Sequence, residues 1–322
     1  MNTKNALNQE QVDKIIDVLK LSNEDAQIIF ENATAVSCKR DPHVQYEINI
    51  SFANENNARI LIDASYYDNM RLFLDSYDKK SFYAGQFINQ ADGYDFLKTK
   101  LKELSQLDGP VLQNKEYLLS TALRLDKDEV SAFTSDVSDI KVLHQRLDIQ
   151  LEDDRNIRLY APDSSKDFQE YNISISDNGE KVRFPTFTDN EYTFRVLKEI
   201  KNMPISEIEE NLSKFADGER TFVLSKALGV DERTIEGFSQ RINDFEIYEF
   251  QDKTTMKFEL EDTKVMVKIE NDNFAMFVDG KHVDSFPDGK YIAAELEELA
   301  DKLEHSTDGP KHDMENANID FD

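Results

Sequence analysis

The side chains that could do chemistry in this chain are overwhelmingly carboxylates: 65 Asp and Glu stand against 38 Lys and Arg, for a net charge of −27. The densest group is Glu295, Glu297, Glu298, Asp301 and Glu304. Such a group can ligate a hard cation, share a proton as an acid–base pair, or present negative charge to a basic surface. The segment DSFPDGKYIAAE from Asp284 has Gly289 at its sixth position and Glu295 at its twelfth, the count of a calcium loop. Phe286 stands where a ligand belongs, however, so Asp288 is expected to cap a helix instead. The five histidines, His43, His144, His282, His305 and His312, do not fall at ligand spacing, and no Ser, Cys or His sits in a nucleophile motif. The single cysteine, Cys38, excludes an internal disulfide and reads as a small core residue. No catalytic, cofactor or metal residue is assigned, and the five carboxylates stand as the candidate partner-binding group.

The elements that must position these side chains emerge when the chain is laid on itself. The stretch from Leu118 matches that from Val223 without a gap: Leu119 falls on Leu224, Leu123 on Leu228, Asp126 on Asp231, Phe133 on Phe238 and Val142 on Ile247. A weaker copy begins at Ile15, with Leu19, Leu21, Ser22 and Ile29 at the matching places. Each copy opens with two short helices around a corner whose polar residue (Ser22, Asp126 or Asp231) caps the second helix. Strands with period-two alternation follow, for example Leu147, Ile149 and Leu151, or Met256, Phe258 and Leu260. Asn178-Gly179 and Asp279-Gly280 suit type I′ hairpin turns, and a longer segment from Ser76 replaces that turn in the first copy. A closing helix ends each copy, its apolar stripe read as Phe96, Leu101 and Leu104, then Tyr192, Leu197 and Ile200, then Tyr291, Leu296 and Leu299.

The expected architecture is therefore α+β: three tandem repeats of a helical hairpin, an antiparallel β-meander and a closing helix, followed by a disordered acidic tail. Asp108-Gly109-Pro110 and Asp217-Gly218 mark the joints, giving modules at 1–108, 109–218 and 219–304 and a tail at 305–322. Pro204 opens an extra linker helix, 204–216, before the second joint. The corner LSKALGVDERTIEGFSQRI from Leu224 resembles the helix-turn-helix of bacterial DNA-binding regulators over about 20 residues. That resemblance would imply DNA binding. Asp231, Glu232 and Glu236 beside Arg233 and Arg241 oppose it, because phosphate contacts supply most of the affinity in such complexes.

Charge points elsewhere. Residues 1–108 carry 12 basic and 17 acidic groups, 109–218 carry 14 and 22, 219–304 carry 11 and 21, and the tail 1 and 5, for nets of −5, −8, −10 and −4. Every part repels nucleic acid and anionic membrane, so the expected partner is a basic protein surface. The functional reading is a non-enzymatic acidic interaction protein. Its sharper form is a mimic of nucleic acid that inhibits a nucleic-acid-binding enzyme, in the manner of phage and mobile-element inhibitors. A structural or chaperone-like docking protein and an enzyme with a site in one module only are the alternatives. The polar opening MNTKNALNQEQ and the absence of a long apolar run lead to an expected cytoplasmic location.

Overall fold

The computed structural model describes residues 7–40, 45–62, 70–75, 81–87, 91–143, 146–160, 171–250 and 253–307. Among them the fold is α+β, with ten α-helices and three antiparallel five-stranded sheets. Helices α1 (Gln9–Val18) and α2 (Asn23–Glu31) precede strands β1 (Ala33–Lys39), β2 (Tyr46–Phe52), β3 (Asn57–Ile62), β4 (Met70–Asp75) and β5 (Ser81–Phe87), and α3 (Ala91–Gln106) follows. Helices α4 (Lys115–Leu123) and α5 (Lys127–Thr134) precede β6 (Val137–Leu143), β7 (Arg146–Leu151), β8 (Asn156–Tyr160), β9 (Tyr171–Asp177) and β10 (Glu180–Phe187), and α6 (Asn190–Ile200) follows. After α7 (Ile205–Glu210), helices α8 (Leu212–Leu228) and α9 (Glu232–Ser239) precede β11 (Ile242–Phe250), β12 (Lys253–Leu260), β13 (Thr263–Glu270), β14 (Asn273–Val278) and β15 (Lys281–Phe286), and α10 (Gly289–Thr307) closes. In every sheet each strand pairs with its neighbour in sequence, so all three are meanders. The chain divides into two compact units, Met1–Phe215 and Ala216–Asp322, with the division falling inside α8.

Local chemistry explains the corners and turns. Ser22 and Asp25 form a reciprocal capping box on α2, as Asp126 and Glu129 do on α5, and Asp231 accepts the Arg233 N–H at the start of α9. The chain reaches these caps through left-handed residues at Lys20, Arg124 and Gly229. Both turn residues have positive φ at Asn178-Gly179 (47° and 93°) and Asp279-Gly280 (48° and 76°), the type I′ requirement. The first-sheet turn expected at Ser76 lies outside the described residues. Alternation then decides burial: Leu147, Ile149 and Leu151 are sealed on β7, as are Met256, Phe258 and Leu260 on β12. Phe238 packs edge-on to Phe258 at 5.4 Å, tying α9 to its sheet, whereas Phe133 meets Phe194 of α6 at 5.8 Å.

Several expectations are corrected. Asp217-Gly218 does not stop a helix. Buried Val223, Leu224 and Leu228 and the Asp217–Arg220 ion pair hold α8 through Gly218, outweighing the ~1 kcal/mol that glycine costs a helix. The break falls at Asn211, whose side chain donates to the Glu207 carbonyl while its own carbonyl accepts the Phe215 N–H. The stripe of α3 is Tyr94, Leu97, Leu101 and Leu104 with Phe96 half-buried, and that of α10 is Ile292, Ala293, Leu296 and Ala300. Tyr291 is 62% exposed. In α6 the stripe holds, with Tyr192, Leu197 and Ile200 all buried. Helix α10 runs through Thr307, past the expected start of the tail at 305, and the rest of that expected segment, 308–322, lies outside the described residues.

In the first unit the chain leaving each closing helix is clamped by a turn of its own sheet. Asn54 donates to the Leu104 and Leu107 carbonyls, and buried Asn56 donates to the Gly109 carbonyl while accepting the Val111 N–H at 2.7 Å. Arg155 does the same job for the second sheet, donating to the carbonyls of Lys201 and Met203. Lys100, 1% exposed, adds a buried link from α3 to the Ser120 hydroxyl of α4 at 2.9 Å. Burial lowers its pKa and Glu103 partly restores it.

Candidate partner-binding surface

Helix α10 begins where Asp288 accepts the N–H groups of Lys290 and Tyr291, the capping role expected of it. Its buried stripe turns toward β14 and β15 and toward α9, and this sorts the five candidate carboxylates into two sets. Glu297 faces α9 and accepts the Phe238 N–H at 2.9 Å. Asp301 pairs with Arg241 at 2.6 Å, and Glu304 lies 3.6 Å from the same guanidinium, whose pKa rises chiefly through the Asp301 hydrogen bond. These three bind the corner to the closing helix. Glu297 in particular does not lie on a free solvent face, which corrects the simplest helical-wheel reading. Glu295, half-buried, and Glu298, paired with Lys302 one turn on at 2.7 Å, form the second set.

Those two carboxylates rim an open groove floored by Phe286, Pro287, Tyr291 and Ala294, at the end of β15 beside the first turns of α10. Strand β15 is the edge of its sheet, and Val283 on it is 49% exposed. Exposed apolar side chains thus lie beside a sheet edge. Sequence periodicity missed this groove because Tyr291 was counted into the buried stripe. The signal available was Asp288 itself: a cap there starts α10 two residues before Tyr291 and sets the helical phase.

Charge is partitioned by element type. The ten helices hold 14 basic and 26 acidic residues, a net of −12, the fifteen strands hold 13 and 12, a net of +1, and the remaining residues hold 11 and 27, a net of −16. Several cations of the sheets lie over aromatic rings or against carboxylates: Lys257 sits 4.8 Å from the Tyr248 ring, Lys268 5.1 Å from Phe277, and Arg146 2.9 Å from Asp148. The corner resembling a helix-turn-helix buries Ile235 and Phe238 against its sheet, so α9 serves as a core element. Cys38 is buried and burial pushes its thiol pKa up, consistent with a packing role. Among the described residues no three His, Cys, Asp or Glu side chains converge as a metal ion would require, and no helix is long and apolar enough to cross a membrane. Comparison with protein-family models, with curated proteins and with solved structures gives no match to this chain.

Proposed function

We propose that this is a non-enzymatic interaction protein whose acidic helices bind a basic partner surface, and that the chain consists of three copies of one module over 1–108, 109–218 and 219–304. The recurring order of two helices, a five-stranded meander and a closing helix supports the repeat. So does a shared joint. Asn190, following the cap Asp189, donates to the Leu123 carbonyl, and Gly289, following the cap Asp288, packs directly on the Leu228 carbonyl.

The observation that carries the functional reading is that the acidic excess lies off the strands, −12 on helices and −16 on the remaining residues against +1 on strands, because a one-signed field steers an oppositely charged partner. In its sharper form the carboxylates imitate a phosphate backbone and occupy the groove of a nucleic-acid-binding enzyme. An affinity pull-down from the source cell at low and high salt, with nucleic acid as competitor, tests both levels. Recovery of a basic protein that high salt releases is the expected result, since exposed charges are screened beyond ~8 Å at physiological ionic strength. Displacement of that protein by DNA or RNA supports mimicry. A partner retained at high salt overturns the electrostatic reading in favour of a docking scaffold.

A further inference from the structure

Two faces at the same place in the element order are treated differently. Where the second sheet ends, Phe187 and, three residues after the cap, Tyr192 stand at ring distance of 5.7 Å, and both are buried. What covers them is the segment after α6. Ile205 and Ile208 of α7 pack beside β9 and β10, Phe215 lies 5.4 Å from Phe184, and the Tyr192 hydroxyl donates to the Phe215 carbonyl at 2.8 Å. The third sheet ends likewise in Phe286 and, three residues after the cap, Tyr291. There Tyr291 is 62% exposed against 5% for Tyr192. Val283, three residues after its turn glycine, is 49% exposed against 3% for Val182.

We infer that the groove of Phe286, Pro287, Tyr291 and Ala294 receives a short amphipathic helix from the partner, apolar on one face and basic at its edges, seated as α7 is seated on the second module. The apolar requirement follows from what α7 supplies, Ile205 and Ile208 one turn apart followed by Phe215. The basic requirement follows from charge. Glu295 and Glu298 line the groove beside its apolar residues, and among the described residues no basic side chain lines it. A carboxylate rim calls for a cover with cationic edges. This inference rests on the basic-partner reading and names the part of the partner that docks.

The test is fluorescence anisotropy of a labelled peptide, residues 204–216 with Glu207→Lys, Glu209→Lys and Glu210→Lys, titrated with the full chain. Saturable binding is expected, weakened about tenfold by Tyr291→Ala and again by Glu295→Lys with Glu298→Lys. Ala294→Gln, a change at an exposed helical position, provides a second probe of the groove, and the unfolding midpoint of each variant verifies its fold. Binding that survives Tyr291→Ala and Ala294→Gln but disappears in high salt overturns the groove while leaving the basic-partner reading standing. Equal binding of the unmodified acidic peptide, insensitive to salt, overturns both. A dimer that Tyr291→Ala disperses assigns the groove to a second copy, and binding tightened about tenfold by removing 308–322 assigns it to the chain's own C-terminal segment. Either result overturns the inference.

Discussion

Phe238 and Tyr291 show how far burial, and not residue type, decides energetic weight. Phe238 is fully buried against Phe258, so Phe238→Ala is expected to cost ~3–5 kcal/mol in urea denaturation. Tyr291→Ala, at 62% exposure, should stay within about 0.5 kcal/mol of the parent, which separates any binding defect it causes from unfolding. Asp25 supplies a pH-dependent counterpart. Its carboxylate accepts hydrogen bonds from Lys102 at 2.8 Å and from Ser22, and the Lys102 bond is the first cause of its lowered pKa. A carboxyl depressed in the folded state stabilises the fold above its unfolded pKa, 3.8, and that contribution is lost as pH falls through the folded value. Asp25→Asn should therefore lower stability by about 1 kcal/mol near neutral pH. Thermal melts of variant and parent should converge below the folded pKa of Asp25, and a pH-independent gap would show that packing alone is responsible.

Among the elements, the Gly289 joint sets sterics against propensity. Alanine inside a helix normally gains about 1 kcal/mol over glycine. A Cβ on Gly289, however, would lie 1.6 Å from the Leu228 carbonyl oxygen, a backbone atom that cannot swing aside. Gly289→Ala should thus destabilise by about 2 kcal/mol or more, read as a lowered urea midpoint with α8 and α10 pushed apart. Much of this layer was legible in the sequence. Ser22, Asp126 and Asp231 announced their caps, Asn178-Gly179 and Asp279-Gly280 their turns, and alternating Leu, Ile and Met the strand faces, because each signal is local. Gly218 misled because a local helix-stop competes with burial of Val223, Leu224 and Leu228 further along α8. Phe96 and Tyr291 misled for a related reason: aromatic spacing gives the period of a stripe, while only tertiary packing gives its phase. At the candidate site, the acidity of α10 was visible, but the division of its carboxylates between Arg241, the Phe238 N–H and the open groove depends on where α9 comes to rest.

At the scale of the whole molecule, the three modules proposed above and the two compact units seen in packing predict distinct observations. Residues 1–215 should unfold as one block because Asn56, Arg155 and the Lys100–Ser120 bond tie successive parts together. Differential scanning calorimetry should resolve two transitions, one for each unit, and three would show the joints to be weaker than their hydrogen bonds suggest. The order of the clamp residues along the chain has a consequence for biosynthesis. Asn54 and Asn56 leave the ribosome about fifty residues before the carbonyls of Leu104, Leu107 and Gly109 that they hold, and Arg155 similarly precedes Lys201 and Met203. Each clamp can close only after its sheet and closing helix have been synthesised, so the lock on one sheet engages as the following helices begin to emerge. Translation then exposes one unfinished meander at a time, sparing the nascent chain the simultaneous display of several unpaired strand edges.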